Sequence, residues 1–312
     1  MEDKSAPADP LERMRQLASK LAWTETLGRT SEIIAPLNQA GSLTPFYCVH
    51  SLSGKGTDYI NLAKLLGPEQ PFFAVQMPSK MRNPELGGEV ARLSLAGLAD
   101  HYTAALIRFQ PVGSLALGGW SVGALIALEM GRRLRALGRS VTLLVSFDLA
   151  PWNISPAAPP AAALSPLALV ANAPFWAMRH QLVRQFSLRA LKQRSMKKAA
   201  TLCGVTPAAD RFAVSEFLNV AKYSPTHLAM AQAILDLMRD YEPDPYEGAV
   251  QVYVAGSEVS FTHFARMKAE WRKIAPRAGV VRVAGSHRDI IEGAGAGRLA
   301  RDLGRRLAET SR

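Results

Sequence analysis

Cysteine is scarce in this chain: there are two in 312 residues, Cys48 and Cys203, far apart. That excludes a disulfide-stapled scaffold. Cys48 lies inside an apolar run and reads as a small core residue. No run of eighteen apolar residues occurs, so no membrane span is expected. The opening residues, Met1-Glu2-Asp3-Lys4-Ser5-Ala6-Pro7, lack the basic start and apolar stretch of a secretory signal. Together these absences predict a reduced, cytoplasmic setting. Helix-turn-helix, zinc-finger and RNA-binding signatures are missing, so no nucleic-acid partner is expected. No metal-ligand spacing and no internal repeat is found. The phosphate-loop spacing G-x-x-x-x-G-K-S/T is absent, which argues against nucleotide binding. Acidic residues are also missing between Asp148 and Asp210, where Arg179, Arg184, Arg189, Lys192, Arg194, Lys197 and Lys198 fall. The net charge of +11 is therefore concentrated, and a concentrated cationic stretch predicts an acidic partner.

What is present alternates. Strand-like apolar runs occur at 33–37, 45–50, 72–76, 114–118, 141–147, 250–255 and 280–284, and helical patterns fill 56–66, 90–109, 122–138, 260–274 and 294–309. Several of the strands are nearly all apolar rather than alternating, which fits a parallel sheet covered on both faces. The alternation predicts an α/β fold with a mostly parallel central sheet, helices on both faces and a helical lid insertion. Residues 1–30 read as an N-terminal extension or linker, with an amphipathic pattern from Pro10 to Trp23. Residues 31–150 form the first part of the core, 151–240 the lid, and 241–312 the second part of the core. The lid opens on a stretch rich in Ala and Pro, and it would sit above the strand ends, where open α/β sheets bind ligands.

One hexapeptide carries chemistry. Gly118-Gly119-Trp120-Ser121-Val122-Gly123 follows an apolar strand and precedes a helix-prone run. In that context G-x-S-x-G is a strand–turn–helix elbow that projects a serine hydroxyl at the positive end of a helix. The glycines are needed because a reversal this tight leaves no room for a side chain beside the serine. Ser121 is thus a candidate nucleophile, and the expected order of partners is acid, then histidine. His287 stands in a loop just after the last predicted strand and is the candidate base. His263 is a weaker rival, and His180 and His227 fall in the predicted lid. Asp148 closes a strand between serine and histidine and is the candidate acid. Asp289 is too near His287 along the chain to orient its ring easily. The oxyanion pocket needs two backbone donors: Val122, after the nucleophile, and Leu52, in the loop Ser51-Leu52-Ser53-Gly54-Lys55-Gly56. The implied chemistry is acyl transfer through a covalent acyl-serine. A carboxylesterase or lipase would use the same residues. A non-catalytic scaffold of this fold would have lost one of them.

These segments resemble the thioesterase domains of nonribosomal peptide and polyketide synthases, members of the α/β-hydrolase superfamily. The likeness is carried by 34–42, by Phe46–Gly54, which is similar to that family's Phe-x-x-x-His-Pro-x-Gly-Gly stretch, by the elbow with its tryptophan, by 241–248 and by Gly285-Ser286-His287. Ser51 and Ser53 stand where the family has proline and its first glycine, and Ser286 replaces an acidic or amide residue. The resemblance implies a substrate presented as a thioester on the phosphopantetheine arm of an acidic acyl or peptidyl carrier protein. It implies no cofactor of the chain's own. Release would occur by hydrolysis or cyclisation. No carrier domain is recognisable in the chain, so it is expected to be free-standing or an excised synthase domain.

Overall fold

The computed structural model describes residues 30–78, 94–149, 214, 223–238, 241–256, 261–293 and 295–311. The elements run α1 (Thr30–Ile33), β1 (Ile34–Asn38), β2 (Phe46–Val49), a 3₁₀ turn (Gly56–Tyr59), α2 (Ile60–Leu66), β3 (Phe72–Val75), α3 (Leu95–Phe109), β4 (Leu115–Trp120), α4 (Val122–Ala136), β5 (Val141–Phe147), α5 (Pro225–Met238), β6 (Val250–Ala255), α6 (Phe261–Ile274), β7 (Gly279–Val283) and α7 (Ala296–Thr310). All seven predicted strands are present. β4 runs two residues further than predicted because Gly119 and Trp120 still pair with Ser146 and Phe147 of β5. The helix predicted from residue 90 is described from Leu95, where Ser94 caps it by accepting the Gly97 amide at 3.0 Å.

The seven strands form one sheet in the order β1-β3-β2-β4-β5-β6-β7. Only the edge strand β1 is antiparallel, against β3, and every other pair is parallel. Side chains alternate between two cores, as strand periodicity requires. Tyr47, Val49, Phe73, Val75, Leu117 and Leu144 face one core with α3, α4, α5 and α6. Phe46, Cys48, Phe72, Ala74, Ala116 and Val145 face the other with α2 and α7. This two-sided burial is why the inner strands read as nearly continuous apolar runs.

The strand order reverses between β2 and β4. β3 lies on one side of β2, and the chain then crosses over to place β4 on the other. The connections leaving the ends of these two strands diverge, so a crevice opens there. The loop 51–56 and Ser121 both lie at that crevice.

The central helix α4 is fastened from outside the sheet. Glu129, buried on α4, accepts from Arg132 at 2.8 Å, from Arg133 and from the Tyr241 hydroxyl. Arg133 also pairs with Asp100 of α3, and Arg132 pairs with Asp244 at 2.7 Å. Burial alone would raise the Glu129 carboxyl. Hydrogen bonds from Tyr241, Arg133 and Arg132 outweigh it and hold the group below the ordinary carboxylate range.

The extension over 1–30 falls outside the described residues, apart from Thr30. So does most of the insertion over 151–240, including its cationic stretch. Its described part is Val214 and residues 223–238, which include α5. There Ser224 accepts the His227 amide at 3.2 Å ahead of Pro225 at the first helical position. No described helix is long and apolar enough to cross a membrane.

Candidate active site

Among the described residues two non-glycines have positive φ: Ser121 at 56° and Asp148 at 54°. L-residues pay a steric penalty in this region, so packing must enforce it. At Ser121 the enforcement is visible. Its amide donates to Phe147 O at 2.9 Å and its carbonyl accepts the Ala124 amide at 3.0 Å. A methyl group on Gly119 would overlap the backbone of Gly123 and Ala124, and one on Gly123 would overlap the carbonyl oxygens of Val49 and His50. Both glycines of the motif are therefore required by close backbone approach, as the sequence predicts. The Ser121 hydroxyl does not cap the helix it begins, so it remains available for chemistry.

Asp148 ends β5. Its amide donates to Tyr253 O at 2.8 Å, and its Oδ1 accepts the Ala255 amide at 2.7 Å. The second oxygen, Oδ2, lies 2.7 Å from His287 Nδ1. The carboxylate side chain is 8% exposed and the imidazole 38%. The histidine is carried by the loop after β7. Gly285 takes φ 122°, and Ser286 and Asp289 fold the loop by a reciprocal pairing. Asp289 Oδ2 accepts from the Ser286 amide at 3.1 Å and from its hydroxyl at 2.7 Å, while the Asp289 amide faces Ser286 Oγ at 3.4 Å. These bonds, against a small burial penalty, lower the Asp289 carboxyl from its ordinary range. Asp289 therefore shapes the loop, and Asp148 is the carboxylate that meets the ring. The S-x-x-D spacing of a capping box is legible in the sequence, but the spacing alone does not say that it folds the loop carrying the histidine.

The imidazole ring of His287 lies against Trp120, with centroids 5.1 Å apart and planes at 34°. Trp120 immediately precedes Ser121, so base and nucleophile share one edge of the sheet. Their side chains are not hydrogen-bonded to each other among the described residues. Such bonds are commonly long in unliganded enzymes and tighten on substrate. Residue 263, the rival histidine, lies within α6.

Val122 is the first residue of α4, where amides have no carbonyl one turn earlier to meet and carry the positive end of the helix dipole. In the loop after β2 the amides of Ser53, Gly54 and Lys55 are each taken, by Ser51 Oγ at 3.3 Å, Ser51 O at 3.1 Å and Ser53 Oγ at 3.0 Å. The Leu52 amide has no partner among the described residues, while its side chain is buried. His50, which leads into the loop, is fully buried and bound on both ring nitrogens, to Ser51 O and to the Tyr102 hydroxyl, each at 2.7 Å. Over this loop lies α5: a methyl on Gly54 would meet Met230 at 3.3 Å.

Sequence reasoning missed Tyr59 and Asp58. The Tyr59 hydroxyl donates to Val49 O and accepts the Trp120 amide at 3.0 Å, which ties the ends of β2 and β4 together beside the crevice. Asp58 Oδ2 accepts from both Ser51 and Ser53. Nothing in the local pattern marks either residue, because the partners come from other elements.

A family model described as thioesterase domain matches residues 44–307. The chain is 36% identical over 121 residues to inactive atromentin synthetase invA4 of Paxillus involutus, covering 39% of this chain and 12% of that protein. It is 33% identical over 118 residues to atromentin synthetase invA5 of the same organism, covering 38% and 12%. It is 35% identical over 116 residues to malpibaldin synthetase of Mortierella alpina, covering 37% and 2%. The chain thus spans a small fraction of these relatives' length. In fold it is similar to the NocB thioesterase domain from the nocardicin cluster, with TM-score 0.57 and 23% identity over 88% of this chain and 98% of that one. It is also similar to part of holo-AB3403, a four-domain nonribosomal peptide synthetase, with TM-score 0.59 and 21% identity over 88% and 20%.

Proposed function

Because the chain belongs to the thioesterase domain family, we propose that it releases an acyl, peptidyl or polyketide chain from the phosphopantetheine arm of a carrier protein through an acyl-serine intermediate. The observation that carries this reading is the pairing of His287 Nδ1 with Asp148 Oδ2 at 2.7 Å, beside the strained Ser121 at the sheet's crossover crevice.

In the proposed sequence Ser121 Oγ attacks the thioester carbon and its proton passes to His287 Nε2. Asp148 accepts the Nδ1–H, holds the ring in the required tautomer and stabilises the imidazolium. The carbonyl oxygen becomes an oxyanion that receives hydrogen bonds from the Leu52 and Val122 amides. The C–S bond breaks, and the pantetheine thiol leaves with the proton returned from His287. Water, or an amine or hydroxyl within the acyl chain, then attacks the acyl-serine, again giving its proton to His287. The acyl–Oγ bond breaks as His287 returns that proton to Ser121 Oγ, which regenerates the serine with hydrolysis or cyclisation as the outcome. The net charge of +11 suits an acidic carrier protein. The fully buried free thiol of Cys48 suits a reduced, cytoplasmic setting.

The test is intact-mass spectrometry of protein mixed with acyl-pantetheine thioesters and, in parallel, with matched oxygen esters. The expected result is an acyl adduct from the thioester, faster than from the ester, that disappears in Ser121→Ala. An adduct formed equally by Ser121→Ala would overturn the nucleophile. Faster turnover of the oxygen esters would overturn the substrate class in favour of a carboxylesterase.

A further inference from the structure

The loop after β2 is organised around one carboxylate. Ser51 Oγ donates to Asp58 Oδ2 at 2.8 Å and Ser53 Oγ donates to the same oxygen at 2.6 Å. Two hydroxyls separated by a single residue thus converge on one atom, and the residue between them is Leu52. Each hydroxyl also accepts from the loop's backbone: Ser51 Oγ from the Ser53 amide, and Ser53 Oγ from the Lys55 amide. Gly54 completes the turn at φ 68°, and its carbonyl accepts the Met77 amide at 3.0 Å. Every amide from 53 to 55 is used in holding the shape, while that of Leu52 is left unpaired among the described residues.

Asp58 is well placed to be the fixed point. It lies in the 3₁₀ turn Gly56–Tyr59, next to Tyr59, whose hydroxyl is bonded to both Val49 and Trp120. The Asp58 backbone is thus joined through its neighbour Tyr59 to the ends of β2 and β4, and through Trp120 to Ser121. The two hydroxyls offset a negative group that would otherwise oppose a neighbouring oxyanion.

We propose that Asp58, acting through the Ser51 and Ser53 hydroxyls, is the positioning residue that presets the Leu52 amide as an oxyanion donor. The inference rests on the acyl-serine reading of the site. It explains how the loop keeps its shape with serines at the two positions where the resembled family has proline and glycine. Proline and glycine would shape such a loop through backbone dihedral preference. Here side-chain hydrogen bonds to a carboxylate do the same work.

The test compares wild type, Asp58→Ala and Ser51→Ala/Ser53→Ala on one acyl-pantetheine thioester, with kcat and KM measured separately and folded protein quantified by circular dichroism. The serine pair keeps the carboxylate and removes only the clamp, which separates positioning from charge. The expected result is a kcat lower by about 10- to 100-fold in both variants, since loss of an oxyanion donor costs roughly 10²- to 10³-fold. KM should stay within about twofold, because the donor acts on the transition state. Affinity for a boronic-acid transition-state analogue should fall in parallel with kcat. The triple variant should be no worse than Asp58→Ala, since the three groups act as a unit. Unchanged kcat in folded variants overturns the inference while leaving the acyl-serine reading intact. A change confined to KM or to melting temperature also overturns it. A wild type that turns over no thioester and forms no adduct sinks the underlying reading and takes this inference with it.

Discussion

His287 Nδ1 lies 2.7 Å from Asp148 Oδ2, although 139 positions separate the two residues in the chain. The other oxygen of the same carboxylate is held by the Ala255 amide at 2.7 Å. One oxygen is thus fixed to the sheet and one is given to the ring. That division leaves Nε2 as the ring nitrogen available to a neighbouring hydroxyl.

Replacing Asp148 by Asn preserves volume but removes the acceptor charge that selects the tautomer. Turnover of an acyl thioester is expected to fall on the order of 10³-fold or more. Ser121→Ala and His287→Ala should cost a similar factor, and combining them should cost little further. Steady-state kinetics on folded protein check this, and near-normal turnover in any single variant would contradict the assigned roles.

The glycines of the elbow give predictions of opposite sign to a glycine elsewhere. Gly123→Ala places a methyl into the Val49 and His50 carbonyls, and Gly119→Ala places one into the Gly123 backbone. Each should cost several kcal/mol or abolish soluble expression, because backbone cannot give way as a side-chain tip can. Gly297, inside α7, has nothing within 4 Å of an added methyl. Gly297→Ala should stabilise by about 0.5 kcal/mol. Urea unfolding of the three variants, beginning with which of them can be purified, decides the matter.

Glu129 is the shared partner of Arg132, Arg133 and Tyr241. Glu129→Ala leaves the half-buried Arg133 without one of its two carboxylates and should destabilise by roughly 3 kcal/mol. Tyr241→Phe alone should cost about 1–2 kcal/mol. In the double variant the costs should fall short of additivity by about 1 kcal/mol, because the two groups touch. Additive behaviour in equilibrium denaturation would mean that Tyr241 does not depend on this carboxylate.

His101 supplies a pH prediction. It is fully buried on α3, neither ring nitrogen has a hydrogen-bond partner among the described residues, and its pKa is lowered to about 4, first by burial and then by the charge of Arg108. Between pH 6.5 and 4 the unfolded chain binds a proton that the folded chain refuses. Its contribution is therefore fully present above pH 6.5 and is lost as pH falls toward 4. The loss over that window is roughly 3 kcal/mol. His101→Leu removes the titration, so its stability should decline less steeply over that range. Parallel slopes for wild type and variant in unfolding measured from pH 7 to 4.5 would refute the assignment.

Much of the architecture was legible from residue order. The five inner strands could be read because burial on both faces leaves nearly unbroken apolar runs, and the elbow because its glycines answer to local geometry. Ser121, Asp148 and His287 stand out as candidates because each follows a strand, in an order that an α/β sheet makes meaningful. Other features depended on which elements meet. The competition between Asp148 and Asp289 for the imidazole was settled by the adjacency of β5, β6 and β7 and by the prior claim of Ser286 on Asp289. The parts played by Tyr59 and Asp58 were invisible in sequence, since their hydrogen bonds reach outside their own turn, and so was the bond of Glu129 to Tyr241, whereas its pairs with Arg132 and Arg133 keep helical spacing. Local rules act over one turn or one strand, and they determined the elements and the strained serine. Pairing at a distance requires the packed sheet, and only that packing decided which carboxylate serves the histidine and what holds the loop around Leu52.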